Sequence, residues 1–107
     1  MVIFLIGYMG CGKSKLGRKL APALNYKLVD TDKIIEEGVG KSVADIFAEK
    51  GEGWFRAQER AVLESFANCP ENVIVSTGGG MPCKNDNMSL MKQIGITVYL
   101  KRTPQNI

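Results

Sequence analysis

Apolar residues along this chain follow two alternating rhythms. Val2-Ile3-Phe4-Leu5-Ile6 is continuous, β-branched and aromatic, as expected of a strand covered on both faces of a parallel sheet, and Gly7 ends it. From Lys13 the apolar positions Leu16, Leu20, Ala23 and Leu24 fall at i, i+4, i+7 and i+8, a one-sided stripe that predicts a helix ending near Asn25. Lys27-Leu28-Val29 reads as a short second strand running into Asp30-Thr31-Asp32, and Lys33 to Glu37 as a helix stopped by Gly38-Val39-Gly40. Ser42, followed three residues later by Asp45, resembles a capping box, with Val43, Ile46 and Phe47 giving an apolar face before Gly51-Glu52-Gly53 interrupts. A further helix is predicted from Trp54 to about Ala67, then a third strand at Val73-Ile74-Val75-Ser76 ending in Gly78-Gly79-Gly80, a helix over Asn87 to Ile94, and a fourth strand at Ile96 to Leu100.

Strands separated by helical patterns call for an α/β domain with a parallel sheet between two helical layers, and such sheets bind ligands at the carboxyl ends of their strands. The glycine and aspartate clusters all lie at those ends. A length of 107 residues allows one domain, and 45% hydrophobic with 23% charged residues is the composition of a folding chain. Fourteen Lys plus Arg against eleven Asp plus Glu give +3 without a basic run, which argues against a nucleic-acid partner and suits small anions. The opening apolar run ends at Ile6, far short of a membrane span, so a cytoplasmic protein with no membrane partner is expected. Three widely spaced cysteines, Cys11, Cys69 and Cys83, and the absence of histidine exclude a disulfide scaffold, the usual zinc patterns and histidine-based catalysis.

Gly7-Tyr8-Met9-Gly10-Cys11-Gly12-Lys13-Ser14 satisfies all four fixed positions of the phosphate-loop motif, between a buried strand and an amphipathic helix. Glycines allow consecutive backbone N–H groups to turn onto phosphate oxygens, and a helix starting near Lys13 adds the positive end of its dipole. Lys13 would reach the β and γ phosphates and Ser14 would ligate Mg²⁺. Cys11, next to that helix start, is either a partly ionised thiol or a small packing residue.

Asp30 and Asp32 lie two apart at a strand end. If the extended conformation persists, both carboxylates face the same side, one toward a metal and the other toward an acceptor hydroxyl. Alternatively, Asp30 ends the strand and Asp32 caps the next helix. Arg56 has Glu59 three residues on, the spacing at which a carboxylate can pin a guanidinium into an anion clamp or form a plain surface ion pair. Gly78, Gly79 and Gly80 either bring backbone donors close to a ligand or make a sharp turn into Met81-Pro82.

Taken together, the loop at 7 to 14, Asp-Thr-Asp at 30 to 32, Ser-Val-Ala-Asp-Ile-Phe at 42 to 47, Phe-Arg with Glu59 at 55 to 59, and Ser-Thr-Gly-Gly-Gly at 76 to 80 resemble the shikimate kinases. The resemblance implies a P-loop three-layer α/β/α fold with strand order 2-3-1-4-5, the fifth strand having no counterpart here. It implies transfer of the ATP γ-phosphate to the 3-hydroxyl of shikimate, with Mg²⁺, by a monomer. Gly10, Cys11, Gly12, Lys13, Ser14 and Lys15 would contact ATP, Ser14 and Asp30 the metal, and Asp32, Arg56, Gly78, Gly79 and Gly80 the substrate. Lys13 and Asp32 would be catalytic.

Family members continue well past Leu100 with a lid, a last strand and helix, and two arginines that this sequence lacks. The expectation is therefore a single kinase domain over 1–107, incomplete at its C-terminus. Such a chain should bind ATP·Mg while transferring little or no phosphate. Two rivals remain: a gluconate-kinase-like enzyme with a different acceptor pocket, and a nucleotide-binding module without transfer chemistry.

Overall fold

A computed structural model describes residues 1–7, 13–77 and 86–100, with the side chains of Lys13, Ser14 and Leu100 not among the described features. The elements are β1 (Val2–Gly7), α1 (Lys13–Leu24), β2 (Lys27–Asp30), α2 (Thr31–Val39), α3 (Val43–Ser65), β3 (Val73–Ser76), α4 (Asn87–Ile94) and β4 (Ile96–Leu100). The strands form one parallel sheet in the order β2-β3-β1-β4, the order expected for these four. The register aligns Leu5 with Ser76 and Asp30 with Ser76, so the carboxyl ends of β1, β2 and β3 lie side by side.

Alternation along the strands sends side chains to two covered faces. Leu5 and Ile74 pack with Leu28, Leu16, Leu20 and Ala21 beneath α1, while Val2, Phe4, Ile6, Val73 and Val75 pack with Leu63 of α3 and Met91 of α4 on the other face. A third cluster, Ile35, Ile46 and Phe55, joins α2 to α3 away from the sheet. The connection from β1 crosses β3 to reach β2, and the connection from β3 crosses β1 to reach β4. The two neighbours are therefore left in opposite directions, which makes the crevice between their carboxyl ends the switch point of the sheet. Among the described residues no helix is long and apolar enough to cross a membrane.

Three sequence expectations are corrected. The buried face of α1 is built on Leu16, Gly17, Leu20 and Ala21, whereas Ala23 and Leu24 face solvent, Leu24 at 46% exposure. Small residues let the helix approach the sheet, and an apolar count passes over them. The chain leaves α1 through Asn25 at φ 58, with Tyr26 N–H donating to the Ala21 carbonyl and Asn25 N–H to that of Pro22, a Schellman ending. The helix expected over Lys33 to Glu37 starts earlier and ends later, at Thr31 and Val39. Helical structure also runs through Glu52 and Gly53, and the break in α3 is confined to Gly51, at φ 84 and ψ 169.

Candidate active site

The second strand ends abruptly, and that ending decides what its two aspartates do. Asp30 keeps extended angles while Thr31 is already helical, and Asp30 Oδ1 accepts hydrogen bonds from the Asp32 N–H at 2.9 Å and the Lys33 N–H at 3.3 Å. Asp30 is thus the N-cap of α2, and Asp32 sits in its first turn. The expectation that period-2 geometry carries both carboxylates to one side is overturned, as is a capping role for Asp32. Among the described residues the other Asp30 oxygen accepts no hydrogen bond, so one side of the cap stays open to the carboxyl edge of the sheet.

That edge holds a cleft of about 180 Å³ lined by Arg18, Leu28, Val29, Asp30, Lys33 and Ser76. Gly17 brings α1 close to this wall: a Cβ on it would stand 2.9 Å from Leu28 Cδ1. A carboxylate and a hydroxyl are hard oxygen donors, the chemistry Mg²⁺ takes alongside phosphate oxygens. Asp30, with its unengaged oxygen, fits that role. Across the crevice, Thr77 is buried, and both its N–H and its hydroxyl donate to the Leu5 carbonyl, at 3.1 and 3.0 Å. This pins the end of β3 to β1 immediately before the triple glycine.

Arg56 belongs to the second arm of α3. Its Nη1 donates to Glu59 Oε1 at 2.7 Å and its Nη2 lies 3.3 Å from Glu52 Oε2. The guanidinium also stands 5.9 Å from the centre of the Phe47 ring and 5.8 Å from that of Phe55. The side chain is 17% exposed and Glu59 only 1%, which removes the reading of a solvent-facing ion pair. Burial works against the Arg56 charge, but the hydrogen bonds and charges of Glu59 and Glu52 outweigh it and hold the guanidinium above its ordinary pKa. For Glu59, burial dominates and pushes the carboxyl above the usual glutamate range. Arg56 opposes that push, and the negative charges of Asp32 and Glu52 add to it.

The electrostatic reach of Asp32 to Glu59 shows that the first turn of α2 and the Arg56 turn of α3 share one neighbourhood. Two further contacts hold these helices: Val43 N–H donates to Glu36 Oε2 at 2.7 Å, and Ser42 Oγ caps α3 by accepting from the Asp45 N–H at 3.2 Å. Asp30, Asp32 and Arg56 are thereby placed on elements that meet near the carboxyl edge, and Lys15 lies exposed in the first turns of α1. Gly10, Cys11, Gly12, Gly78, Gly79 and Gly80 lie outside the described residues, as do the side chains of Lys13 and Ser14. Sequence reasoning passed over Ser76 as a single residue, since its place beside Asp30 depends on strand register.

A parallel sheet between two helical layers, with a phosphate-loop sequence joining β1 to α1 at its switch point, defines a phosphate-loop kinase-type domain. The family model for shikimate kinase matches residues 9–107, and the chain belongs to that family. A shikimate kinase of Azobacteroides pseudotrichonymphae is 50% identical over 101 residues, 94% of this chain and 59% of its own length. The crystal structure of shikimate kinase from Bacteroides thetaiotaomicron superposes with a TM-score of 0.91 at 48% identity, covering 98% of this chain and 59% of that one. The shikimate kinase from Acinetobacter baumannii, solved in complex with shikimate, gives 0.88 at 37% identity over 95% of this chain and 56% of that one. The chain thus spans less than two thirds of the length of these relatives.

Proposed function

We propose that this chain supplies the nucleotide site and most of the acceptor site of an enzyme that transfers the γ-phosphate of ATP to the 3-hydroxyl of shikimate. The product, shikimate 3-phosphate, belongs to chorismate and aromatic amino-acid biosynthesis, and the enzyme works as a cytoplasmic monomer. The observation that carries this reading is the Arg56 guanidinium, fixed by a 2.7 Å bond to Glu59 and flanked by two aromatic rings in the neighbourhood of Asp32. A pre-oriented planar fork is suited to the carboxylate of a ring acid, and a carboxylate in the first turn of the neighbouring helix α2 is suited to its hydroxyls.

In this reading the backbone amides of Gly10 to Gly12 and the Lys13 ammonium hold the β and γ phosphates of ATP. Arg56, with the backbone of Gly78 to Gly80, grips the shikimate carboxylate and orients the ring, so that the 3-hydroxyl is presented to the γ-phosphorus. Asp32 binds that hydroxyl and accepts its proton as the new oxygen–phosphorus bond forms and the bond to the β-γ bridging oxygen breaks, releasing ADP. Ser14 and Asp30 would hold Mg²⁺, which when bound neutralises charge on the phosphate oxygens. Lys13 stabilises the same charge from the protein side.

The test is phosphate transfer from ATP to shikimate and to a panel of other polyols, by a chain extended to the length of its relatives. Shikimate should be the preferred acceptor. In that extended chain Arg56→Ala should raise the KM for shikimate by about 30-fold or more, the loss expected from truncating one partner of a desolvated charge pair, with ATP affinity nearly unchanged. Asp32→Asn should lower kcat by orders of magnitude with the fold intact. Weakened ATP binding by the Arg56 variant with unaltered use of shikimate would overturn the reading.

A further inference from the structure

Two glutamates hold the Arg56 guanidinium, and they hold it on different terms. Glu59 takes Nη1 at 2.7 Å with a side chain only 1% exposed, a bond closed off from water. Glu52 takes another edge: its Oε2 accepts from both Nε, at 3.4 Å, and Nη2, at 3.3 Å, and its side chain is 57% exposed. Charge-assisted bonds of this kind at full strength measure about 2.7–2.9 Å, so the first partner is fixed and the second is loose. An exposed pair at i, i+4 on a helix is also weak, because water readily replaces either member.

The loosely held edge is the one with the geometry for a carboxylate. Nε and Nη2 point side by side in the guanidinium plane, and a carboxylate that faces them places one oxygen on each. Glu52 serves both donors with a single oxygen. At 17% exposure, with Phe47 and Phe55 beside it, the Arg56 side chain has little surface left for a further anion while both glutamates stay in place. Charge points the same way. The cation of Arg56 acts on the buried Glu59 together with two more carboxylates, Asp32 and Glu52. An acceptor acid would bring a fourth carboxylate to one guanidinium, and the repulsion is relieved when one of the others withdraws. Of the three, Glu52 is the exposed one, with solvent to withdraw into.

We infer that Glu52 is a stand-in for the acceptor carboxylate, occupying the Nε and Nη2 edge of Arg56 in the free protein and yielding that edge to the acid group of the substrate. It is a positioning residue that acts through Arg56 and tunes how tightly the site takes an acid, since a neutral polyol has no group to displace it. The inference rests on the proposed reading, in which Arg56 grips the shikimate carboxylate, and adds to it what that grip holds beforehand.

The experiment uses the chain extended to the length of its relatives. Glu52→Gln removes the charge with little change in shape at an exposed position, so the variant should fold as the unmodified chain does. Its KM for shikimate should fall by about two- to fivefold, the strength of one exposed ion pair, with kcat nearly unchanged. The methyl ester of shikimate, which lacks the charge needed to displace Glu52, should inhibit both forms equally. The sign of the KM change separates this role from plain support, because a residue that only oriented Arg56 would raise KM when removed. An unchanged or raised KM in Glu52→Gln overturns the inference, as does an equal gain in affinity for the ester. Either result leaves the transfer reading standing if the unmodified chain phosphorylates shikimate. Failure of the unmodified extended chain to phosphorylate shikimate overturns both.

Discussion

Glu59 carries a charge at 1% exposure, and the Arg56 bond only partly compensates for its loss of solvent. Its folded-state pKa lies above the ordinary value of 4.5, so folding favours the protonated carboxyl. The stabilising contribution is complete below pH 4.5 and falls as pH rises through the elevated value, because ionisation is easier in the unfolded chain. Glu59→Gln removes this titration. Denaturant titrations across that window should show the stability difference between the variant and the unmodified chain shifting toward the variant as pH rises. A difference independent of pH would contradict the burial argument. The Arg56–Glu59 pairing was legible in the sequence because i, i+3 spacing fixes it locally. The role of Asp30 was not, since whether a strand continues or turns into a helix after two charged residues depends on which backbone donors need a cap. Ser76 was invisible for a different reason: its neighbour Asp30 is set by sheet register, which no local spacing encodes.

Elements were more legible than residues, and the misreadings in α1 and α3 share one cause: glycine and alanine carry little hydrophobic signal but control how closely backbones approach. Gly95, between α4 and β4, makes this measurable. A Cβ there would fall 2.0 Å from the Val2 carbonyl oxygen and 2.9 Å from its carbon, and neither is a flexible end that can move aside. At Gly17 the nearest atom is Leu28 Cδ1, at 2.9 Å, the tip of a mobile side chain. Gly95→Ala should therefore cost about 2 to 4 kcal/mol in denaturant unfolding. Gly17→Ala should stay within about 1 kcal/mol of the unmodified chain, because its gain in helix propensity offsets the shift of one leucine methyl. Equal effects at the two sites would show that the sheet tolerates displacement of its first strand. The break in α3 follows the same logic: a glycine triplet marked the site, but only Gly51 adopts the positive φ that other residues resist, so the helical arms meet closer than the sequence suggested.

At the scale of the whole molecule, the central strands β1 and β3 are sealed on both faces while β4 is the outer strand of the described sheet. Ile96 at 49% and Tyr99 at 48% exposure leave apolar surface on opposite faces of that strand, and its outer backbone edge has no strand beside it among the described residues. An outer parallel strand with apolar side chains is a template for pairing with another chain. The relatives this chain matches are longer, the chain covering 59% of one curated kinase. Extending the chain to that length should therefore act on stability as well as activity. Covering the half-exposed Ile96 alone would contribute about 1 kcal/mol at the usual return per unit of buried apolar area. Sedimentation of the 107-residue chain should show association that grows with concentration and is reduced by Ile96→Lys. The extended chain should sediment as a monomer and unfold at higher denaturant. If the short chain is monomeric at every concentration and unfolds at the same midpoint as the long one, the β4 face is stable in water. Any difference in phosphate transfer between the two lengths would then have to come from residues that close the active site rather than from completion of the sheet.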